Sequence, residues 1–159
     1  MGTKIGPLAV RRSIWIAATS ERVWQEFESH DRMKAWFGTG HSVTAYEPRL
    51  GGYVETDSGH SREHGEPLRF GGKIVVWDPP HQVTWENDWF GHGWVAPSLM
   101  TFRLTPAEGG TVVELFHHGF ERTGESLTET LNGFEAGWTL RQLEALRQLV
   151  EAKPQLVEA

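Results

Sequence analysis

The chain has 159 residues, a formal charge of −6 at pH 7, no cysteine, and eight Trp and eight Phe against two Tyr. A domain of this length buries roughly 70% of its unfolded surface, enough for a sizeable core, so residues 1–159 are expected to form one domain with its core over about 10–152. The acidic balance argues against nucleic acid or an anionic membrane as the main partner, and the missing cysteine excludes disulfides, thiolate nucleophiles and Cys-based metal sites. No window approaches the ~18 apolar residues of a membrane span, and the N-terminus lacks the apolar core of a signal peptide. A cytoplasmic location is the expectation.

In chain order, Val10 to Ile16 reads as a first strand, with Val10, Ile14 and Ile16 on one parity and Trp15 on the other. Ser20 can cap a helix through about Ser29, with Val23, Trp24 and Phe27 at helical spacing. Asp31 can cap a second short helix from Arg32 to Trp36, which Gly38 and Gly40 end. Short runs then predict strands near 42–47, 52–58, 68–78, 81–88, 98–105 and 111–119, an antiparallel meander punctuated by Gly51-Gly52, Pro79-Pro80 and Gly109-Gly110. Alternation assigns Ile74 with Val76, Val83 with Trp85, Met100 with Phe102 and Leu104, and Val113 with Leu115 and His117 to shared faces.

From Ser126 to Ala152 the apolar residues keep a helical period, with Leu127, Leu131, Phe134, Trp138, Ala145 and Leu149 on one side. A second apolar line runs through Ala136, Leu140, Leu143 and Val150. Gly133 and Gly137 each cost about 1 kcal/mol relative to Ala inside a helix, which suggests a close approach to the backbone there. The expected fold is α+β: a curved antiparallel sheet of six or seven strands around a long C-terminal helix, with two short helices after the first strand.

Candidate chemistry is sparse. His60-Ser61-Arg62-Glu63-His64 matches the H-x-x-E-H zinc pattern, but Gly59, Gly65 and Pro67 bracket it and the flanks read as strand, so a solvated polar loop is expected and no metal is assigned. Of His117 and His118, adjacent strand residues facing opposite ways, His117 has the inward parity; it is the catalytic candidate, as a general base or ligand hydrogen-bonding group, against the alternative of a core histidine satisfied by a backbone carbonyl. Glu86, Asp88 and Glu114 alternate against the apolar residues and read as a solvated face. No nucleophile elbow or phosphate-binding loop is present. The loop Trp89-Phe90-Gly91-His92-Gly93-Trp94 carries three large aromatics in six residues, suited to a cavity mouth or a partner contact. With Trp36, Phe37, Tyr53, Trp85, Phe102, Phe134 and Trp138, Trp89 and Trp94 are candidates to line an aromatic ligand pocket. Close packing without a cavity is the competing reading.

Several stretches together carry a family resemblance: Val23-Trp24, Trp36-Phe37, Arg49-Leu50-Gly51-Gly52, Val76-Trp77-Asp78-Pro79-Pro80 leading to Val83-Thr84-Trp85, Thr101-Phe102-Arg103-Leu104, His117-His118-Gly119-Phe120, and Gly137-Trp138. The chain resembles the bacterial homologues of the activator of heat-shock-protein-90 ATPase, within the SRPBCC (START-like, birch-pollen-allergen-like) superfamily. The resemblance implies a helix-grip fold with a deep cavity between the long helix and the sheet, and a hydrophobic small-molecule ligand such as a lipid or polycyclic aromatic. It implies no cofactor. A minority of the superfamily are enzymes, including polyketide cyclases, so a cyclase, hydratase or lyase acting through His117 is the alternative. A further alternative is a co-chaperone-like, stress-related interaction protein or a homodimer. The eukaryotic co-chaperone engages its chaperone through a separate N-terminal domain, and about nine residues precede the first strand here, which sets the expectation against a chaperone partner.

Overall fold

A computed structural model of the chain describes residues 9–37, 42–61, 65, 67–89, 94–127, 129 and 139–153. Strand β1 (Ala9–Ile16) leads into α1 (Ser20–Trp24), a 3-10 turn over Gln25–Phe27, and α2 (His30–Trp36). The capping residues, Thr19 and Ser29, lie slightly upstream of the expected Ser20 and Asp31. The Thr19 hydroxyl accepts from the Arg22 backbone N–H and the Ser29 hydroxyl from that of Arg32, so both caps are hydroxyls satisfying free first-turn donors.

Six strands follow: β2 (Ser42–Tyr46), β3 (Tyr53–Ser61), β4 (Pro67–Asp78), β5 (Gln82–Trp89), β6 (Ser98–Ala107) and β7 (Gly110–His118). Every pairing is antiparallel, in the order β1-β7-β6-β5-β4-β3-β2, so the meander closes by laying β1 beside β7. The sheet curls into a half-barrel, and β4, between β3 and β5, has no side chains where these neighbours crowd it. A Cβ on Gly71 would strike the carbonyl oxygen of Val54 in β3, and one on Gly72 would strike that of Glu86 in β5.

The concave face carries the core. Val83 and Trp85, Met100, Phe102 and Leu104, and Val113, Leu115 and His117 are all buried, as alternation predicts. Val76 departs from its expected face. The β4–β5 register shifts between Ile74 and Val76, so Ile74 stays buried while Val75 and Val76 are both exposed on the convex side.

The C-terminal segment is helical in parts. Leu127 and Glu129 are helical, Thr139 and Leu140 are not, and α3 runs from Arg141 to Ala152. The Thr139 hydroxyl accepts from the Arg141 N–H, a local bond that competes with continuation of a helix. This break corrects the single helix expected over 126–152. Leu127, Ala145 and Leu149 of the first expected face are partly buried against the core, and Leu143 and Val150 of the second are fully buried. In α3 the fully buried line is Leu143, Leu146 and Val150, with Ala145 and Leu149 partly buried at its flank and Leu140 exposed. Gly133, Phe134, Gly137 and Trp138 lie outside the described residues. The helix α3 packs on β1 and α2. Among the described residues no helix is long and apolar enough to cross a membrane.

Candidate functional site

The concave face has two regions of different chemistry. Around Phe102 the rings interlock: its centroid lies 5.3 Å from Phe27, 5.5 Å from Trp36 and 5.7 Å from both Phe37 and Trp85. The Trp36 indole N–H donates to the Glu26 carbonyl at 3.1 Å, and the Tyr46 hydroxyl donates to the Phe27 carbonyl at 2.6 Å, which fixes the 3-10 turn against α2 and β2. Burial raises the Tyr46 phenol well above its ordinary pKa. Of the aromatic candidates, Trp36, Phe37, Trp85 and Phe102 are brought together at contact distances.

Toward the end of the sheet where β5 and β6 are joined by the 90–97 connection, the same inward rows turn polar. Asn87 continues Val83 and Trp85, Ser98 precedes Met100 and Phe102, and His117 continues Val113 and Leu115. Asn87 pairs with Ser98 across the ladder, and Met100 with His117, so three polar side chains meet over one patch, all at most 1% exposed. Ser98 Oγ donates to the Asn87 carbonyl at 2.6 Å. A hydroxyl has one hydrogen, so toward His117 Nε2 at 2.8 Å the same oxygen accepts, and Nε2 carries the imidazole proton. Asn87 Nδ2, 3.5 Å from that nitrogen, faces another donor and gains no bond. Asn87 Oδ1 is buried without a hydrogen-bond partner among the described residues. The His117 ring lies 4.5 Å from that of Phe120, at the start of the turn after β7.

Burial, helped by the neighbouring His118, pushes His117 down from 6.5 to about 3. The ring is therefore neutral at physiological pH. So low a value makes it a weak base, better suited to orienting a partner than to taking a proton. Its Nε2 bonds a side-chain hydroxyl, that of Ser98.

The other candidates are dispersed. Tyr53 lies on the convex face, 39% exposed, with its hydroxyl donating to Glu55 Oε1 at 3.1 Å; Val54 and Thr56 take the inward positions of β3. Trp94 is half-buried, in a connection held to the turn after β7 by the Val95 N–H donating to the Thr123 carbonyl. Trp89 ends β5 opposite Phe70, with its side chain outside the described residues, as are Phe134 and Trp138. His60 and Ser61 continue β3 as extended chain, not the helix that H-x-x-E-H chemistry requires. Asn87 and Ser98 were passed over in the sequence. The signal that finds them is a polar residue at the end of an apolar row of fixed parity, repeated on three adjacent strands.

This curled seven-stranded sheet with two short helices and a C-terminal helix corresponds to a known family. The family described as activator of Hsp90 ATPase homolog 1-like protein matches residues 17–151. The chain belongs to this family. Among solved structures, protein Ms6760 from Mycobacterium smegmatis shares the fold with a TM-score of 0.69 at 20% identity, over 91% of this chain and 92% of that one. The Aha1 dimer from Colwellia psychrerythraea gives 0.64 at 19% identity, over 91% and 97%. DynU16, from the dynemicin biosynthetic locus, gives 0.67 at 20% identity, over 94% of this chain and 49% of its own length. No curated protein matches in sequence. These solved structures share the fold, and at such identities the likeness extends to the fold alone.

Proposed function

We propose that the protein binds an apolar, aromatic or lipid-like small molecule between the sheet and the C-terminal segment, and that the molecule carries a hydroxyl at one end. Asn87, Ser98 and His117 form the polar end of this site, with Trp85, Met100 and Phe120 against the ligand's body. The observation that carries the reading is the buried, unpartnered Asn87 Oδ1. An unsatisfied acceptor costs about 1–3 kcal/mol, a cost that a ligand O–H would relieve. His117 cannot supply the missing donor, since its Nε2 hydrogen is committed to Ser98.

Thermal shifts with matched phenols and their methyl ethers test the requirement. At 100 Kd a bound phenol should stabilise the protein by about 2.7 kcal/mol, with the ether at least tenfold weaker. Asn87→Leu should leave the free protein as stable or more so, because it removes the unpaired amide, and should abolish the preference for the phenol. A broad panel without stabilisation would remove the binding reading. Preference for the ether would mean that the amide presents Nδ2 and would overturn the donor requirement.

A second reading, catalysis of cyclase, hydratase or lyase type, draws on the same polar cluster at the end of an apolar interior. In it His117 and Asn87 position the substrate, and the proton acceptor is another group. Turnover of an identified ligand that survives in both His117→Gln and Asn87→Leu would sink this assignment.

A further inference from the structure

The opposite face of the sheet bears a groove that the interior site does not explain. One cross-strand row runs Arg11, Phe116, Thr101, Thr84 and Val76 over β1, β7, β6, β5 and β4. Phe116, on the convex side yet only 7% exposed, is covered by two guanidiniums from the flanking strands. Arg11 Cζ lies 4.4 Å and Arg103 Cζ 4.9 Å from its ring centroid. Neither arginine has an ion-pair partner among the described residues, although Glu114 stands opposite Arg103 in register. In a chain of net charge −6, two guanidiniums on one aromatic ring, neither in an ion pair among the described residues, mark a local positive field.

The floor of the groove is hydrogen-bonded. Gln82 Nε2 donates to Thr84 Oγ1 at 3.1 Å, the Thr84 and Thr101 hydroxyls are 2.8 Å apart, and Thr101 Oγ1 is 2.9 Å from His118 Nε2. The direction that uses each hydroxyl hydrogen once runs from Gln82 through Thr84 and Thr101 to His118 Nε2, leaving the His118 proton on Nδ1. The groove has a volume of about 440 Å³ and apolar walls at Val75, Val76 and Leu99. That is within the usual range of roughly 300–1,000 Å³ for small-molecule sites.

We propose that this groove is a second binding site, for a small aromatic carboxylate whose anionic group pairs with Arg11 and Arg103 and whose ring lies on the apolar wall. A guanidinium fork matches a carboxylate, and two arginines held over a ring are pre-oriented for it. His118 lies among Arg11, Arg103 and Arg122, with Glu121 opposing them, and burial together with those arginines lowers its pKa, consistent with a positive surrounding that also favours an anion.

The test is calorimetric titration with 2-naphthoate, 2-naphthalenemethanol and inorganic phosphate, using the wild type, the Arg11→Gln/Arg103→Gln double variant and Asn87→Leu. Naphthoate should bind at least tenfold tighter than the alcohol, weaken with added salt, lose at least tenfold in the double variant and be unchanged in Asn87→Leu. Equal binding of acid and alcohol, or full retention in the double variant, would overturn the site. Phosphate binding as tightly as naphthoate would overturn the aromatic class. Loss in Asn87→Leu with retention in the double variant would move the acid to the interior and leave the outer groove without a ligand.

Discussion

Glu26→Ala is expected to lower the unfolding free energy by about 3–5 kcal/mol. Glu26 is 2% exposed and accepts from Arg22 Nη1 at 2.7 Å and Arg32 Nη1 at 3.2 Å. Arg22 is itself only 6% exposed, and its Nε donates to the Lys153 carbonyl at 2.6 Å just beyond α3. One carboxylate therefore neutralises the buried cation that ties α1 to the end of the C-terminal helix. Removing it leaves a charge in the interior, and that penalty exceeds the worth of the bond lost. Replacing both buried partners, Arg22→Met with Glu26→Leu, should recover most of the stability, because Arg32, which also loses Glu26, has a side chain 39% exposed and reaches water. Urea midpoints at unchanged slope measure both effects. A single variant within 1 kcal/mol of wild type would show that Arg22 finds water on its own.

The second large effect is one of pH. His117 has a folded pKa of about 3 against an ordinary 6.5, so below 6.5 the unfolded chain binds a proton that the folded chain refuses. The associated stability is fully present above pH 6.5 and is lost as pH falls toward 3, at about 1.4 kcal/mol per pH unit for one proton. By pH 4.5 the loss reaches about 3 kcal/mol. His118, also lowered, adds in the same direction. His117→Gln should be less stable than wild type at pH 7, through loss of its bond to Ser98, yet lose less stability between pH 6.5 and 4.5. Parallel pH profiles for the two proteins would show that the imidazole is not held neutral by the fold.

The fold was legible because its determinants are local and periodic. Alternation over Val83 and Trp85, Met100 to Leu104 and Val113 to His117 gave the inward face directly, and glycines and prolines marked the turns. Three features escaped. The bulge after Ile74 inverts the parity of Val76, and nothing in a run of Ile74-Val75-Val76 distinguishes a bulged from a regular strand. The break at Thr139 and Leu140 ends the expected continuous helix, because a hydroxyl's choice between capping and continuing a helix depends on tertiary packing. Asn87 and Ser98 were hidden among strand-end residues whose polarity suits a loop equally well. Only the cross-strand register, a long-range property, brings them beside His117. The aromatic candidates show the converse limit: sequence finds large rings at inward positions, but only packing shows that Trp36, Phe37, Trp85 and Phe102 pack on one another.

The central claim is that the polar end formed by Asn87, Ser98 and His117 receives a ligand. Its most direct test is a titration of 15N-labelled protein with the tightest phenol from the thermal-shift panel. The largest shifts should fall on the Asn87 side-chain amide, the His117 ring and the Ser98 and Phe120 backbone amides, with His117 remaining neutral throughout. Shifts confined to Arg11, Thr101 and Phe116 on the convex face, or binding without any change at Asn87, would contradict the claim.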